Sequence, residues 1–137
     1  MGRLDEVPSA TLIGVHVLVV EDDEDSRQLM ETILGYCGAL VTAVGSARAA
    51  LEVLRHVTPD VLLSDISMPD EDGYWLIREV RRLPPDRGGA IPAAALTAHT
   101  REHGPERTLA AGFQAHLTKP IDPWELCRAL GGLVRRP

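Results

Sequence analysis

The sequence contains few cysteines and no long apolar run. Cys37 and Cys127 are far apart and lack the CxxC spacing of zinc or redox motifs, which predicts two buried free thiols. No stretch approaches the roughly 20 apolar residues of a membrane-spanning helix. Residues 1–10 lack the apolar core of a signal peptide. We therefore predict a soluble, cytoplasmic protein that does not insert into a membrane.

Positive charge is also scarce, because 14 lysines and arginines stand against 20 aspartates and glutamates and leave a formal net charge of −6. This balance disfavours direct binding to nucleic acid. The acids concentrate in residues 21–25 and 70–72, and this local acidity predicts a cation site. Surface or edge positions are predicted for four histidines that lack metal-ligand spacing with one another: His16, His56, His99 and His103.

A chain of 137 residues suits one domain with a single buried core. Its short apolar runs, which are typical of buried parallel strands, alternate with helix-like segments. The predicted strands are 15–20, 40–44, 61–64, 91–96 and 115–118. Five alternations predict an α/β fold, a doubly wound parallel sheet with helices on both faces. We assign the domain to residues 14–137 and a tail or linker to residues 1–13.

The helical segments carry start and stop signals. Apolar residues recur at helical spacing in the first helix, at Leu29, Met30, Ile33, Leu34 and Cys37. Ser46 is the predicted cap of the second helix, and Asp122 the predicted cap of the last. Gly104 and Pro105 are poor inside a helix and predict a mobile loop before a helix near residues 106–111.

Three predicted strands end in the residue types that a phosphoryl-transfer site needs. Glu21 and Asp22 follow the first strand, Asp65 follows the third, and Lys119-Pro120 follows the fifth. In an open α/β sheet the carboxyl ends of the strands converge on one crevice where ligands bind. We therefore expect these distant carboxylates and the lysine to meet.

Clustered carboxylates repel one another unless a hard cation offsets their charge, and oxygen-rich sites suit Mg²⁺. Asp22 and Asp65 are the predicted direct ligands, Glu21 the holder of a metal-bound water, and a backbone carbonyl just after Asp65 a further ligand. A carboxylate can also attack phosphorus and form an acyl phosphate. Asp65 is the candidate nucleophile, with Lys119 and Thr97 binding the transferred group.

Four motifs in this order resemble those of bacterial response-regulator receiver domains. They read VLVVED at 17–22, LLSDISMPDEDGY at 62–74, ALTA at 95–98 and KP at 119–120. The resemblance covers the chain from about residue 14 to its C-terminus. It implies a flavodoxin-like, CheY-like fold with strand order 2-1-3-4-5 and a phosphoacceptor function in a two-component phosphorelay.

The resemblance also assigns roles at the matching positions. Asp65 resembles the phosphoacceptor, and Glu21 and Asp22 resemble the acidic pair, with Glu21 in place of the more usual aspartate. Ser67 resembles the residue whose backbone carbonyl binds Mg²⁺, for which Mn²⁺ can substitute. These four residues form the metal set that the resemblance implies.

Further roles fall on residues near the fourth and fifth strands. Thr97 resembles the switch hydroxyl and Lys119 the phosphate-binding lysine, and a cis peptide bond is implied between Lys119 and Pro120. His116 occupies the place of the aromatic residue that swings inward on phosphorylation. Because an imidazole changes charge near about pH 6.5, we hypothesise that His116 makes the output pH-sensitive. His99, two residues after Thr97, is a candidate contact of the phosphoryl group.

The resemblance implies a histidine kinase or phosphotransfer protein as phosphodonor and a downstream protein target. The target would bind the surface of the fourth helix, fifth strand and fifth helix. Such a module is not an enzyme with an external substrate, although it promotes its own phosphorylation and dephosphorylation. Phosphorylation-dependent dimerisation stays open. So does the choice between a stand-alone receiver and the C-terminal part of a hybrid histidine kinase, whose parent would be a kinase.

Other functions on related patterns fit less well. The acids at 21–25 would repel the phosphate of a flavin nucleotide. An aspartyl phosphatase would carry a second acid where this chain has Ser67, and a calcium loop at 70–73 has Met68 where its first ligand should be. The remaining alternative is a pseudo-receiver, a protein-binding module that keeps the fold without being phosphorylated. The complete set of site residues argues against it.

Overall fold

The computed structural model describes residues 11–98 and 104–134. Within them, five parallel strands form one sheet in the order β2-β1-β3-β4-β5, which confirms the predicted fold class and strand order. The strands are β1 (His16–Val20), β2 (Leu40–Val44), β3 (Val61–Asp65), β4 (Ala93–Thr97) and β5 (Ala115–Thr118). The helices are α1 (Glu24–Tyr36), α2 (Ala47–Leu54), α3 (Gly73–Arg81), α4 (Pro105–Ala111) and α5 (Pro123–Val134).

Successive residues of each strand point to opposite faces of the sheet, so the apolar runs supply two cores. Val17 and Val19 of β1 pack in one core with residues of α1 and α5. Leu18 and Val20 pack in the other with residues of α2 and α3. The central strand β3 is buried along its whole length, which places Asp65 at the end of a fully enclosed strand.

Strands β2 and β5 have their predicted bounds, whereas β4 starts and ends later than expected. The start of β4 is later because the guanidinium of Arg81 donates to the carbonyl oxygen of Ile91, at 2.7 Å, so that this acceptor is occupied by a side chain. Pro92 has no N–H to give to a ladder. At the other end, the Lys119 N–H donates to the carbonyl oxygen of Thr97, which extends the β4–β5 pairing. Thr97 therefore closes β4 instead of beginning a loop.

Helix starts follow their capping residues. Ser46 accepts a hydrogen bond from the Ala49 N–H, and Asp122 accepts one from the Trp124 N–H, as predicted. The prediction of a loop at Gly104-Pro105 was wrong at Pro105, because this residue opens α4 and Gly104 is its N-cap. A proline is tolerated at the first helical position, where its missing N–H would have no partner within the helix.

The prediction of two free thiols was also wrong, because Cys37 and Cys127 form a disulfide. Cys37 caps the C-terminus of α1, and Cys127 lies in α5, on the same face of the sheet. A separation of 90 residues gives no local spacing motif, so only the packing of α1 against α5 reveals the pair. Leu29 departs from the α1 pattern as well and is exposed.

Leu12 is fully buried beside α1 and its N–H donates to the carbonyl oxygen of Cys37. Ordered packing therefore reaches two residues ahead of residue 14, and the domain boundary there remains a prediction. In the part of the chain that the structure describes, no helix combines the length and apolarity that a membrane crossing requires. His99 and His103 lie outside the described residues.

Candidate functional site

Three acids meet at the carboxyl ends of β1 and β3. Glu21 and Asp22 follow β1, and Asp65 ends β3. One carboxylate oxygen from each lies within 4.8 Å of the other two. Glu21 and Asp65 are buried, whereas Asp22 is exposed at the mouth of the cluster. The sheet topology thus brings together the acids that the sequence separates by more than 40 positions.

Glu21 has its two carboxylate oxygens in different surroundings. Oε2 accepts a hydrogen bond from the backbone N–H of Asp23, at 3.0 Å. Oε1 lies 2.9 Å from the ammonium of Lys119 but has no hydrogen bond of good geometry within the described residues. Because a buried oxygen without a well-aligned donor is costly, Oε1 has unused capacity to accept from a water or another ligand.

Lys119, which follows β5, places its ammonium between two buried acids. Its Nζ lies 2.9 Å from Glu21 Oε1 and 3.3 Å from Asp65 Oδ2. Burial acts to lower the pKa of Lys119, but the two close carboxylates of Glu21 and Asp65 outweigh it and leave this pKa raised. The lysine is therefore a fixed positive charge at neutral pH. The bond between Lys119 and Pro120 is cis, which confirms that prediction.

Asp65 is held by the loop that follows it. The Ser67 N–H donates to Asp65 Oδ1 at 3.3 Å, and the Ser64 hydroxyl donates to the Asp65 carbonyl oxygen at 2.9 Å. A Cβ at Gly73 would lie 2.6 Å from that same carbonyl oxygen, so α3 can begin this close to Asp65 only with glycine. The metal contact proposed for the Ser67 carbonyl stays a prediction.

Thr97, at the end of β4, is fully buried and pairs in register with Thr118 of β5. Its hydroxyl lies 3.3 Å from Nε2 of His116, and Nδ1 of the same ring lies 3.0 Å from the hydroxyl of Thr108 in α4. His116 is half-buried between these two threonines. The two residues predicted as a switch are thus in contact, and a third residue joins them.

Sequence reasoning missed two residues that shape the site. Arg27 of α1 donates to the Glu21 carbonyl oxygen at 2.9 Å and to the Asp22 carbonyl oxygen at 3.5 Å, which fixes the backbone of the acidic pair. A positive charge near the N-terminus of a helix interacts unfavourably with the helix dipole. This unfavourable position was the sequence feature that could have indicated a specific role for Arg27. Thr108 left no comparable signal, because its contact with His116 depends on how α4 packs.

The donor set fits a hard divalent cation. Three carboxylates face one ammonium within the described residues of the cluster, which leaves surplus negative charge in a partly buried place. Oxygen-only ligands with room for water are what Mg²⁺ prefers. The buried oxygen Glu21 Oε1, which lacks a well-aligned donor, supports the same assignment.

A family model described as the response regulator receiver domain matches residues 17–131 of the chain. A 14.6 kDa uncharacterized protein from Leptolyngbya boryana is 46% identical and covers 86% of this chain and 88% of its own length. The response regulator SaeR of Staphylococcus aureus is 33% identical over 88% of this chain, which spans only 51% of SaeR.

Solved structures agree with this match. The receiver domain of the sensor histidine kinase PA1611 from Pseudomonas aeruginosa superimposes with a TM-score of 0.81 and 32% identity. The alignment covers 90% of this chain and 99% of that one. That structure was solved with a magnesium ion coordinated in its active site cleft.

Proposed function

Because the chain belongs to the response regulator receiver domain family, we propose that it accepts a phosphoryl group on Asp65 from a histidine kinase or phosphotransfer protein. The observation that carries the proposal is the meeting of Glu21, Asp22, Asp65 and Lys119 at one edge of the sheet. This set supplies a nucleophile, a cation site and a fixed positive charge. We place this activity in the cytoplasm, where such donors act.

Glu21, Asp22, Asp65 and the carbonyl of Ser67 would hold Mg²⁺, with Mn²⁺ as a substitute. The ion, when bound, supplies positive charge that neutralises the incoming phosphoryl oxygens. One carboxylate oxygen of Asp65 forms a bond to phosphorus while the bond from phosphorus to the donor imidazole nitrogen breaks. Lys119 is already within reach of Asp65 and orients the transferred group.

The phosphoryl oxygens then attract the hydroxyl of Thr97. This movement shifts the surface of α4, β5 and α5 between two populations, and that surface binds the downstream protein. The protein acts as a signalling module and not as an enzyme with an external substrate. Receiver domains of sensor kinases occur among its structural relatives, so both a stand-alone chain and a part of a kinase are compatible with this function.

Intact-mass measurement after incubation with Mg²⁺ and acetyl phosphate tests the proposal. We expect a gain of one phosphoryl group that EDTA abolishes and that Asp65→Asn removes. Asp70→Asn is the matched control, because Asp70 is exposed in the next loop and its positive φ of 65° suits asparagine. This control should retain the adduct.

Beryllofluoride, which mimics a phosphoryl group on the acceptor aspartate, provides a second test, with the fluorescence of Trp75 in α3 as the reporter. Its side chain is half-buried, with the ring centroid 5.2 Å from Cζ of Arg48, and its backbone N–H donates to Asp72 Oδ1. We expect a Mg²⁺-dependent fluorescence change in the wild type but not in Asp65→Asn. Folded wild-type protein that responds to neither reagent would contradict the proposal and support the pseudo-receiver.

A further inference from the structure

Arg48 links the start of α2 to residues 66–72, which form the β3–α3 loop. Its Nε lies 3.1 Å from Glu71 Oε1, and its Nη2 donates to Glu71 Oε2 at 3.2 Å, so the guanidinium faces both carboxylate oxygens. Cζ of Arg48 also lies 5.2 Å from the centroid of the Trp75 ring, within the range of a cation–π contact. Arg48 therefore contacts both the loop and the first turn of α3.

The position of Arg48 in α2 favours this contact over a role within the helix. Arg48 is the second residue of α2, where a positive charge opposes the helix dipole. The side chain of its partner Glu71 is only 26% exposed. A planar guanidinium that faces both oxygens of such a carboxylate is the arrangement in which an ion pair near the surface contributes measurably. The contact thus has the geometry to restrain the loop.

The β3–α3 loop contains a residue whose conformation has to be held by its surroundings. Asp70 has a φ of 65°, in the left-handed region, which costs free energy in a residue with a Cβ. At the base of the loop, the Gly73 N–H donates to the carbonyl oxygen of Ile66 at 2.9 Å. Beside that base, the Ser67 N–H donates to Asp65 Oδ1. The shape of the loop is therefore connected to the position of the acceptor aspartate.

We propose that Arg48 is a positioning residue for the cation site, because it holds the β3–α3 loop in the shape that keeps the Ser67 carbonyl beside the acids. The proposal rests on the proposed function, which assigns that carbonyl to Mg²⁺. A loop that is ordered before the ion binds avoids the entropy cost of ordering at that step. Arg48 should therefore strengthen Mg²⁺ binding, although its own charge is positive.

The charge of Arg48 and its positioning role lead to opposite expectations. The Glu21 N–H donates to the carbonyl oxygen of Val44, the last residue of β2, so α2 begins at the carboxyl edge of the sheet, near the acids. If Arg48 acted only through its charge, removal of that charge would tighten Mg²⁺ binding. If Arg48 restrains the loop, its removal weakens binding. The sign of the change decides between the two.

The affinity is measured by NMR titration of ¹⁵N-labelled protein with MgCl₂. Arg48→Met should raise Kd about threefold, the effect of losing one well-oriented ion pair. Arg48→Lys keeps the charge but not the planar fork, and it should raise Kd by less. The matched control is Arg55→Met, because Arg55 caps the opposite end of α2 and has an exposed ion pair to Glu52. This control should leave Kd nearly unchanged.

Two further measurements test the contact itself. Glu71→Gln should also raise Kd, and the double variant Arg48→Met/Glu71→Gln should bind no more weakly than Glu71→Gln alone, because the same contact cannot be lost twice. In EDTA, hydrogen exchange of the Gly73 amide should be faster in Arg48→Met than in the wild type, since this amide closes the base of the loop.

An unchanged or lower Kd in Arg48→Met, or an equal rise in Arg55→Met, would overturn the positioning role alone. Additive losses in the double variant, or unchanged exchange of the Gly73 amide, would do the same. A folded wild type that binds no Mg²⁺ would overturn the proposed function itself.

Discussion

Charged side chains lie at both edges of the sheet, but the partners of these charges differ. At the carboxyl edge, Glu21 and Asp65 share the ammonium of Lys119, and Asp22 adds a third negative charge to the cluster. At the amino edge, the guanidinium of Arg81 is surrounded by neutral acceptors. It binds the carbonyl oxygens of Gly89, Ile91 and Gly112 and the side chain of Gln114, at 2.7–3.2 Å.

This comparison indicates that the charge at the amino edge stabilises the fold, whereas the charge at the carboxyl edge serves the proposed function. Each nitrogen of Arg81 donates to at least one acceptor, so its charge ties α3 to the starts of β4 and β5. Burial lowers the pKa of Arg81, yet the planar fork keeps its proton because arginine stays charged at any physiological pH. The acids of the other edge are left with surplus charge. The fold holds that acidic cluster in place, and a bound cation would neutralise its surplus negative charge.

The amino edge should therefore carry the largest stability effects, beginning with the disulfide at the end of α1. Reduction of Cys37–Cys127 is expected to lower the free energy of unfolding by about 4 kcal/mol, because the bond closes a long loop in the unfolded chain. Urea unfolding with and without reductant measures this. Affinity for Mg²⁺ should change less than about twofold, since the acids do not contact the cysteines. Two titratable thiols in denatured, unreduced protein would contradict the prediction.

Replacement of Arg81 by methionine is expected to lower the free energy of unfolding by about 3 kcal/mol, because several carbonyl oxygens lose a charged donor. The matched control is Arg82→Met. Arg82 is the next residue and mostly exposed, with a surface ion pair to Glu79, so its loss should cost under about 1 kcal/mol. Equal losses in the two variants would show that the guanidinium of Arg81 does not hold the amino edge together.

The site was largely predictable because its signals are local and its convergence is topological. Each acid or lysine directly follows an apolar run, and parallel strands bring such positions to one edge. Glu21, Asp65 and Lys119 could therefore be placed together before any geometry was known. Proline at the start of α4 shows the limit of this reasoning, because the same residue can end a loop or open a helix.

The partners in the supporting contacts were not predictable, for a different physical reason. Arg27 and Arg81 bind backbone carbonyl oxygens, which every residue possesses, so no partner residue type marks the pairing. The disulfide and the contact of His116 with Thr108 depend on how helices pack on the sheet. Sequence periodicity gives the buried face of a helix, but not which side chains of two elements meet.

Asp22→Asn has the smallest expected effect on stability, but it tests the comparison most directly. The variant should become more stable while its binding of Mg²⁺ becomes weaker. Asp22 adds negative charge to the cluster but has no ion pair to Lys119 within the described residues. Asp22→Asn should therefore raise the free energy of unfolding in EDTA by roughly 0.5–1 kcal/mol, by removing repulsion. It should weaken Mg²⁺ binding at least tenfold, as measured by Trp fluorescence titration, whereas Asp70→Asn should change neither quantity. A loss of stability in metal-free Asp22→Asn would mean that the acids support the fold, and the contrast between the two edges would fail.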